Sequence, residues 1–279
     1  MYRFDTITSL RQYLDTLRSE HTIGFVPTMG ALHEGHTTLI EKAKLENDVV
    51  VSSIFVNPGQ FTNADDLARY PRTLEEDCRK LEAAGCDVVF SPSVAEMYPE
   101  STAIRLNFGE LETVLEGAFR PGHFNGVGVV VAKLFNIVQP DRAYFGQKDL
   151  QQVAVIRRLI RDLSFPVELI RCPTVREADG LAMSSRNRNL TPTEREEATT
   201  LFQALTLGRE LLVEGYQVKR SRAAVADFVN DKPHFRLEYI EIVNADTLQL
   251  ANEVLAPGQT AICIAAHLGN VRLIDNLVF

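Results

Sequence analysis

The residues best suited to chemistry cluster at Val26-Pro27-Thr28-Met29-Gly30-Ala31-Leu32-His33-Glu34-Gly35-His36-Thr37, between a short apolar run and the start of a helical pattern. A strand that ends in glycines and passes into a helix is an anion-binding position. The glycines admit backbone N–H groups to the ligand, and the helix start adds about half a positive charge. Gly30 and Gly35 stand at the G-x-x-x-x-G spacing of a phosphate-binding loop, but His36 occupies the position where that loop carries Lys. His33 and His36 together suit donation to a phosphate oxygen as negative charge develops there. The same residues also describe a plain turn with two solvent-exposed histidines. A metal site from His33, Glu34 and His36 fits less well, because the two-histidine zinc helix needs its histidines four apart.

Further stretches carry related chemistry. In Asn57-Pro58-Gly59-Gln60-Phe61, the Gln60 amide offers one acceptor and two donors, enough to orient both a hydroxyl and an amine; an ordinary strand-to-loop turn is the competing reading. In Phe145-Gly146-Gln147-Lys148-Asp149, Lys148 can neutralise phosphate charge and Asp149 can accept from ribose hydroxyls, against the alternative of a surface ion pair worth little. Met183-Ser184-Ser185-Arg186 presents consecutive donors and an arginine that can fork onto phosphate, or else a Ser/Asn capping loop. Arg120 and His123 sit in a Pro/Gly turn, divided between a substrate-facing and a structural role. Asp77 could coordinate magnesium, but the helical pattern from Leu74 to Leu81 favours a solvated surface position. No G-x-S-x-G elbow or catalytic Cys-His signature is present, so no covalent enzyme intermediate is expected.

The elements around these stretches alternate. After Thr8 as the expected N-cap, Leu10, Tyr13, Leu14 and Leu17 recur at helical spacing. Short apolar runs at Ile23–Val26, Val49–Val56, Val88–Phe90, Ala143–Phe145 and Val167–Ile170 are separated by helical patterns over Thr37–Leu45, Leu74–Ala84, Val127–Val138 and Val153–Leu163. Strands that are apolar on both faces and separated by helices imply an α/β fold with a doubly wound, Rossmann-like parallel sheet. Beyond Arg176 the pattern changes to a polar stretch, a long helix from about Thr193 to Val213, a second near Arg222–Val229, and strands at Leu237–Val243, Ala261–Ala266 and Val271–Leu277. Two domains are expected, residues 1–175 and a smaller α+β domain of residues 176–279.

Composition narrows the function. The 279 residues suffice for one large or two modest domains, and the net charge of -8 leaves no excess of positive charge for a nucleic-acid backbone. Cys78, Cys86, Cys172 and Cys263 form no CxxC pair, which fits a reducing compartment and offers no zinc site. No apolar stretch approaches the ~18 residues of a membrane span, so a soluble, cytoplasmic protein is expected.

The wording PTMGALHEGH resembles the HxGH signature of the nucleotidyltransferase superfamily, and in particular the pantoate–β-alanine ligase (pantothenate synthetase) family. The likeness continues in order through NPGQF, YPRT (Tyr70–Thr73), RPGHF (Arg120–Phe124), FGQKD, Gln151-Gln152 and MSSRN (Met183–Asn187). It implies an ATP-dependent ligase that converts pantoate to pantoyl adenylate with release of pyrophosphate, then lets β-alanine displace AMP, with Mg²⁺ travelling on the nucleotide. It implies His36, His33 and Lys148 as catalytic groups. Contacts to ATP would come from Met29, Gly30, Ala31, Leu32, His33, Glu34, Gly35 and His36, from Gly146, Gln147, Lys148 and Asp149, from Val175 on the adenine side, and from Met183, Ser184, Ser185 and Arg186. Gln60 would touch pantoate and β-alanine, Asn57 would support pantoate, and Gln152 would bind it. The 1–175 domain would then bind ATP and pantoate, and the polar loop of the second domain would close as a lid. A homodimer is implied as well. Family members usually carry a bulkier residue than Gly59 and often an aromatic where Leu150 stands. Another nucleotidyltransferase acting on a phosphate ester and a nucleotide-sensing module with a decayed site are the rival readings.

Overall fold

The computed structural model describes residues 1–279. The chain divides into two compact units: Met1–Gly146 with Val155–Cys172, and Gln147–Ala154 with Pro173–Phe279. Residues 147–154 thus belong with the second unit, whereas the expected division placed them in the first; the turn after the fifth strand makes its contacts with the last strand of the chain.

The first unit is built on a six-stranded, all-parallel sheet: β1 (Tyr2–Phe4), β2 (Ile23–Thr28), β3 (Val49–Ile54), β4 (Val88–Phe90), β5 (Arg142–Gly146) and β6 (Glu168–Cys172), in the order β1-β4-β3-β2-β5-β6. Its helices are α1 (Ile7–Asp15), α2 (Glu34–Glu46), α3 (Ala64–Arg69), α4 (Leu74–Ala83), α5 (Val94–Met97), α6 (Leu115–Phe119) and α7 (His123–Val138), while α8 (Leu150–Asp162) leads into β6. The central strands β3 and β4 are buried along almost their whole length, Ser52 and Ser53 included, because both their faces are covered, as a parallel sheet requires. One face is packed by Leu39, Ile40 and Ala43 of α2 and Leu81 of α4 against Val26, Val50 and Val89. Helix α7, apolar over most of its circumference, packs against α1 and β2.

β1 was not foreseen: its three residues alternate and are largely exposed at the sheet edge, so they carry no apolar run. α1 begins two residues earlier than expected, with Thr6 rather than Thr8 as the cap, its side chain accepting from the Ser9 N–H.

From β2 the chain winds outward to β3 and β4 on one side, while β5 and β6 lie on the other. β2 and β5 are therefore hydrogen-bonded neighbours whose outgoing connections diverge, and the carboxyl ends of such a strand pair are where doubly wound sheets bind ligands.

The second unit contains α9 (Pro192–Glu197), α10 (Thr200–Val213), α11 (Val218–Asn230) and an antiparallel sheet β7-β8-β9 (Phe235–Asn244, Thr260–Leu268, Val271–Val278). Leu201, Leu205 and Leu212 of α10 and Val225 and Val229 of α11 bury against Ile240, Ile262 and Ile264. The single long helix expected from Thr193 is two helices separated at Ala198-Thr199, where neither Gly nor Pro marks the break and Ala198 is buried.

Candidate active site

The turn after β2 is held from below by one buried carboxylate. Gly30 and Ala31 have φ of 82° and 53°, and a left-handed alanine costs ~1–2 kcal/mol. Asp77 of α4 offsets this, accepting the Ala31 N–H at 2.9 Å, the Leu32 N–H at 2.7 Å and the Thr73 hydroxyl at 3.1 Å. Lys80, one turn further along α4, donates to the Leu32 carbonyl at 2.7 Å and to Glu76 at 2.6 Å. Asp77 is 1% exposed, which corrects the expected solvated position. The helical pattern was right, but this acidic residue lies on the buried stripe with Leu81 because the turn supplies its donors. Its two oxygens are engaged by two backbone N–H groups and the Thr73 hydroxyl. A cavity of about 430 Å³ adjoins the turn, lined by Met29, Gly30, Phe55, Pro58, Arg72 and Asp77 among others.

The two histidines form a reciprocal cap at the start of α2. His33 Nδ1 accepts the Gly35 N–H at 3.1 Å, and His36 Nδ1 accepts the His33 N–H at 3.3 Å, with the ring centroids 4.1 Å apart. A neutral imidazole that accepts at Nδ1 carries its proton at Nε2. Both rings thus have one tautomer selected by the backbone, with Nε2–H as the donor. The plain-turn alternative is not what the chain builds, since each ring is fixed by the helix N-terminus and both are half-buried.

A second constellation surrounds Gln60. Asn57, 1% exposed, donates from Nδ2 to Gln60 Oε1 and the Gly126 carbonyl, both at 3.1 Å. Its Oδ1 accepts the Gly59 N–H at 3.2 Å and the Tyr98 hydroxyl at 2.9 Å. Burial pushes the Tyr98 phenol up to about 12, which keeps it a donor. Gln60 Nε2 in turn donates to Met29 Sδ at 3.0 Å, joining this network to the first turn. His123 Nδ1 lies 2.7 Å from the Gln60 carbonyl and must donate there, so its Nε2 accepts from Arg120 at 3.3 Å. His123 thus supports the Gln60 backbone, with Arg120 bonded to the far side of its ring. Tyr98, Gly126, Lys80 and this use of His123 were missed from sequence, each contact joining residues far apart in the chain.

In the second unit, Gln147–Asp149 forms a 3-10 turn ahead of α8. Lys148 pairs with Asp149 at 4.0 Å and its side chain is 17% exposed. Gln152 is half-buried on the first turn of α8, and Leu150 is core, 3% exposed. The Met183 N–H donates to the Val175 carbonyl at 3.0 Å, and Ser184 caps the 3-10 turn Ser185–Asn189 by accepting from the Arg186 N–H at 3.3 Å. The capping alternative for this stretch is thus realised, and the same cap fixes Ser185 and Arg186.

A doubly wound sheet whose carboxyl-edge turn after β2 presents two tautomer-fixed histidines at a helix start defines an HxGH nucleotidyltransferase-type enzyme. The family model for pantoate-beta-alanine ligase matches residues 3–278. The chain belongs to the pantoate–β-alanine ligase family and is an ATP-dependent carbon–nitrogen ligase joining pantoate to β-alanine. It is 51% identical to the pantothenate synthetase of Moorella thermoacetica over 100% of this chain and 98% of the relative. It is 48% identical to that of Cytophaga hutchinsonii, over 100% and 99%. The crystal structure of pantothenate synthetase from Thermus thermophilus superposes with a TM-score of 0.93 at 48% identity, covering 100% of this chain and 99% of that one. The pantoate-beta-alanine ligase from Francisella tularensis, solved with beta-gamma ATP and beta-alanine, matches with a TM-score of 0.83 at 39% identity, covering 100% and 97%.

Proposed function

We propose that the chain activates pantoate at the turn after β2 through the adenylate route, with His36 as the principal donor to the α-phosphate and His33 assisting. The observation that carries this is the paired Nδ1 acceptance, which leaves both imidazoles as Nε2–H donors before any ligand binds. The pantoate carboxylate attacks the α-phosphate of ATP, a P–O bond forms as the bond to pyrophosphate breaks, and the acyl phosphate ester is pantoyl adenylate. The β-alanine amine then attacks the acyl carbon, loses a proton, and AMP departs. Preorganised donors accelerate such a step because they need no reorientation as charge develops.

The remaining assignments extend the same reading. Gln60 orients pantoate and β-alanine, and Asn57, with all its polar atoms engaged, acts by holding the Gln60 amide. Gln152 binds pantoate. Gly146, Gln147, Lys148, Asp149, Val175, Met183, Ser184, Ser185 and Arg186 serve ATP, with Lys148 and Arg186 as the cations on its phosphates. The remaining turn residues, Met29 to Leu32, Glu34 and Gly35, border the same nucleotide. Mg²⁺ would arrive on ATP oxygens and neutralise phosphate charge. No group of three or more His, Cys, Asp or Glu stands together as a metal cage. A homodimer in the cytoplasm is proposed on the family likeness; no helix is long and apolar enough to cross a membrane.

The test is ATP–pyrophosphate exchange with purified protein. Exchange that requires pantoate but not β-alanine, followed by AMP formation on adding β-alanine, is the expected result. Exchange driven equally by other carboxylates, or none at all with ATP tightly bound, would overturn the reading.

A further inference from the structure

We propose that Arg176, Asp275 and Asn276 form a positioning device for Lys148, acting through the backbone of the turn that carries it. This rests on the reading of Lys148 as a phosphate-binding cation. Asn276, 3% exposed near the end of β9, donates from Nδ2 to two consecutive carbonyls, Gln147 at 3.0 Å and Lys148 at 2.9 Å. One amide donating to both fixes the orientation of two successive peptide planes, and so the direction in which the Lys148 side chain leaves the backbone.

Asn276 is itself held on both sides. Its N–H donates to Asp275 Oδ1 at 2.7 Å, and its carbonyl accepts from Arg176 Nη2 at 3.0 Å. Arg176 forks onto Asp275, Nη1 to Oδ2 at 2.6 Å and Nη2 to Oδ1 at 3.0 Å, and also donates to the Gly180 carbonyl at 3.0 Å. Its guanidinium lies over the Phe202 ring, 4.2 Å from the centroid. Burial pushes the Asp275 carboxyl upward, and the guanidinium fork opposes it.

A buried ion pair is a poor route to stability, since apolar replacement often serves as well, but its fixed fork specifies position. Here the fork is spent on Asn276, whose whole side chain is directed at residues 147 and 148. A cation displaced by about an ångström from a transferring phosphate loses much of its effect, which gives the arrangement a functional consequence.

The experiment measures pantoate-dependent ATP–pyrophosphate exchange for Asn276→Ala, Lys148→Ala and the double variant, with thermal midpoints alongside. Asn276→Ala is expected to lower kcat/KM for ATP about tenfold, from two lost hydrogen bonds, with pantoate KM within about twofold of wild type. In the Lys148→Ala background the same substitution should change exchange by less than about twofold, because its effect travels through Lys148. Equal losses in both backgrounds, or unaltered ATP kinetics in Asn276→Ala, would overturn the positioning role. If Lys148→Ala alone left exchange intact, the Lys148 reading itself would fail, a distinct result. Should Asn276→Ala not fold, Arg176→Lys keeps the charge beside Asp275 but loses the fork. It should show a smaller loss with the same dependence on Lys148, and no such dependence would count against the proposal.

Discussion

The Asp77 carboxylate accepts the Leu32 backbone N–H at 2.7 Å, so a side chain of α4 fixes the turn that leads into His33 and His36. Its removal leaves the Ala31 and Leu32 N–H groups without their acceptor, and hydrogen bonds to a charged group are worth ~1.5–3 kcal/mol each. Asp77→Ala is expected to lower unfolding free energy by about 3 kcal/mol. It should also reduce pantoate-dependent pyrophosphate exchange by more than about tenfold at temperatures where the variant is folded. Urea titration and exchange assays measure the two effects. A variant that loses stability but keeps full exchange would show that Asp77 serves the fold alone.

For His36→Ala, loss of a transition-state donor typically costs ~10² to 10³ in rate. Pyrophosphate release with ATP and pantoate should fall by that factor while the KM for ATP changes far less. Activity within a few-fold of wild type would remove His36 from the proposed role.

Gln60→Ala and Gln152→Ala should weaken pantoate far more than ATP. Tyr98→Phe should shift pantoate in the same direction by about tenfold or less, since it removes a single hydrogen bond from the Asn57 that holds Gln60. Steady-state KM values for each substrate decide the matter, and equal weakening of both substrates would contradict the assignment.

Two glycines in contact should respond oppositely to the same change. A Cβ on Gly126 would lie 2.0 Å from the Gly59 carbonyl oxygen and 2.7 Å from the Gln60 nitrogen, backbone atoms that cannot swing aside. Gly126→Ala should therefore cost at least ~2 kcal/mol and raise the pantoate KM. A Cβ on Gly59 meets nothing nearer than Asn57 Oδ1 at 3.5 Å, so Gly59→Ala should be neutral or stabilise by up to ~1 kcal/mol through the unfolded chain. Urea midpoints of the two variants should move in different directions or by clearly different amounts.

Burial raises the Cys86 thiol from 9.0 to about 12, the Cys172 thiol from 9.0 to about 11, and the Tyr144 phenol from 10.0 to about 12. Above pH 9 the unfolded chain releases thiol protons that the folded chain retains. The stability these groups contribute is therefore intact below pH 9 and is lost as pH rises from 9 toward 11 and 12, by up to ~1.4 kcal/mol per unit for each group inside its window. Urea midpoints at pH 8 and pH 10 should show the fall. A midpoint unchanged over that interval would mean that the thiols ionise in the native state.

The sequence by itself determined the sheet-forming runs, the alternation that makes the large sheet parallel, and the His33–His36 spacing at a helix start. These are local properties, since strand and helix periods and a turn's glycines are written in neighbouring residues. What only the tertiary structure decided is which distant group completes each local device. Asp77 reads as a surface acid until the Ala31 and Leu32 N–H groups are seen to face it. His123 reads as a turn residue until its ring meets the Gln60 carbonyl, and Asn276 carries no motif although it grips Gln147 and Lys148 from 129 and 128 residues away. The edge strand Tyr2–Phe4 and the break at Ala198-Thr199 escaped for the same reason: both are set by what packs beside them. A buried polar side chain is stable only where the fold brings it a partner, and that partner's identity is a property of the assembled sheet and helices, not of the stretch in which the residue sits.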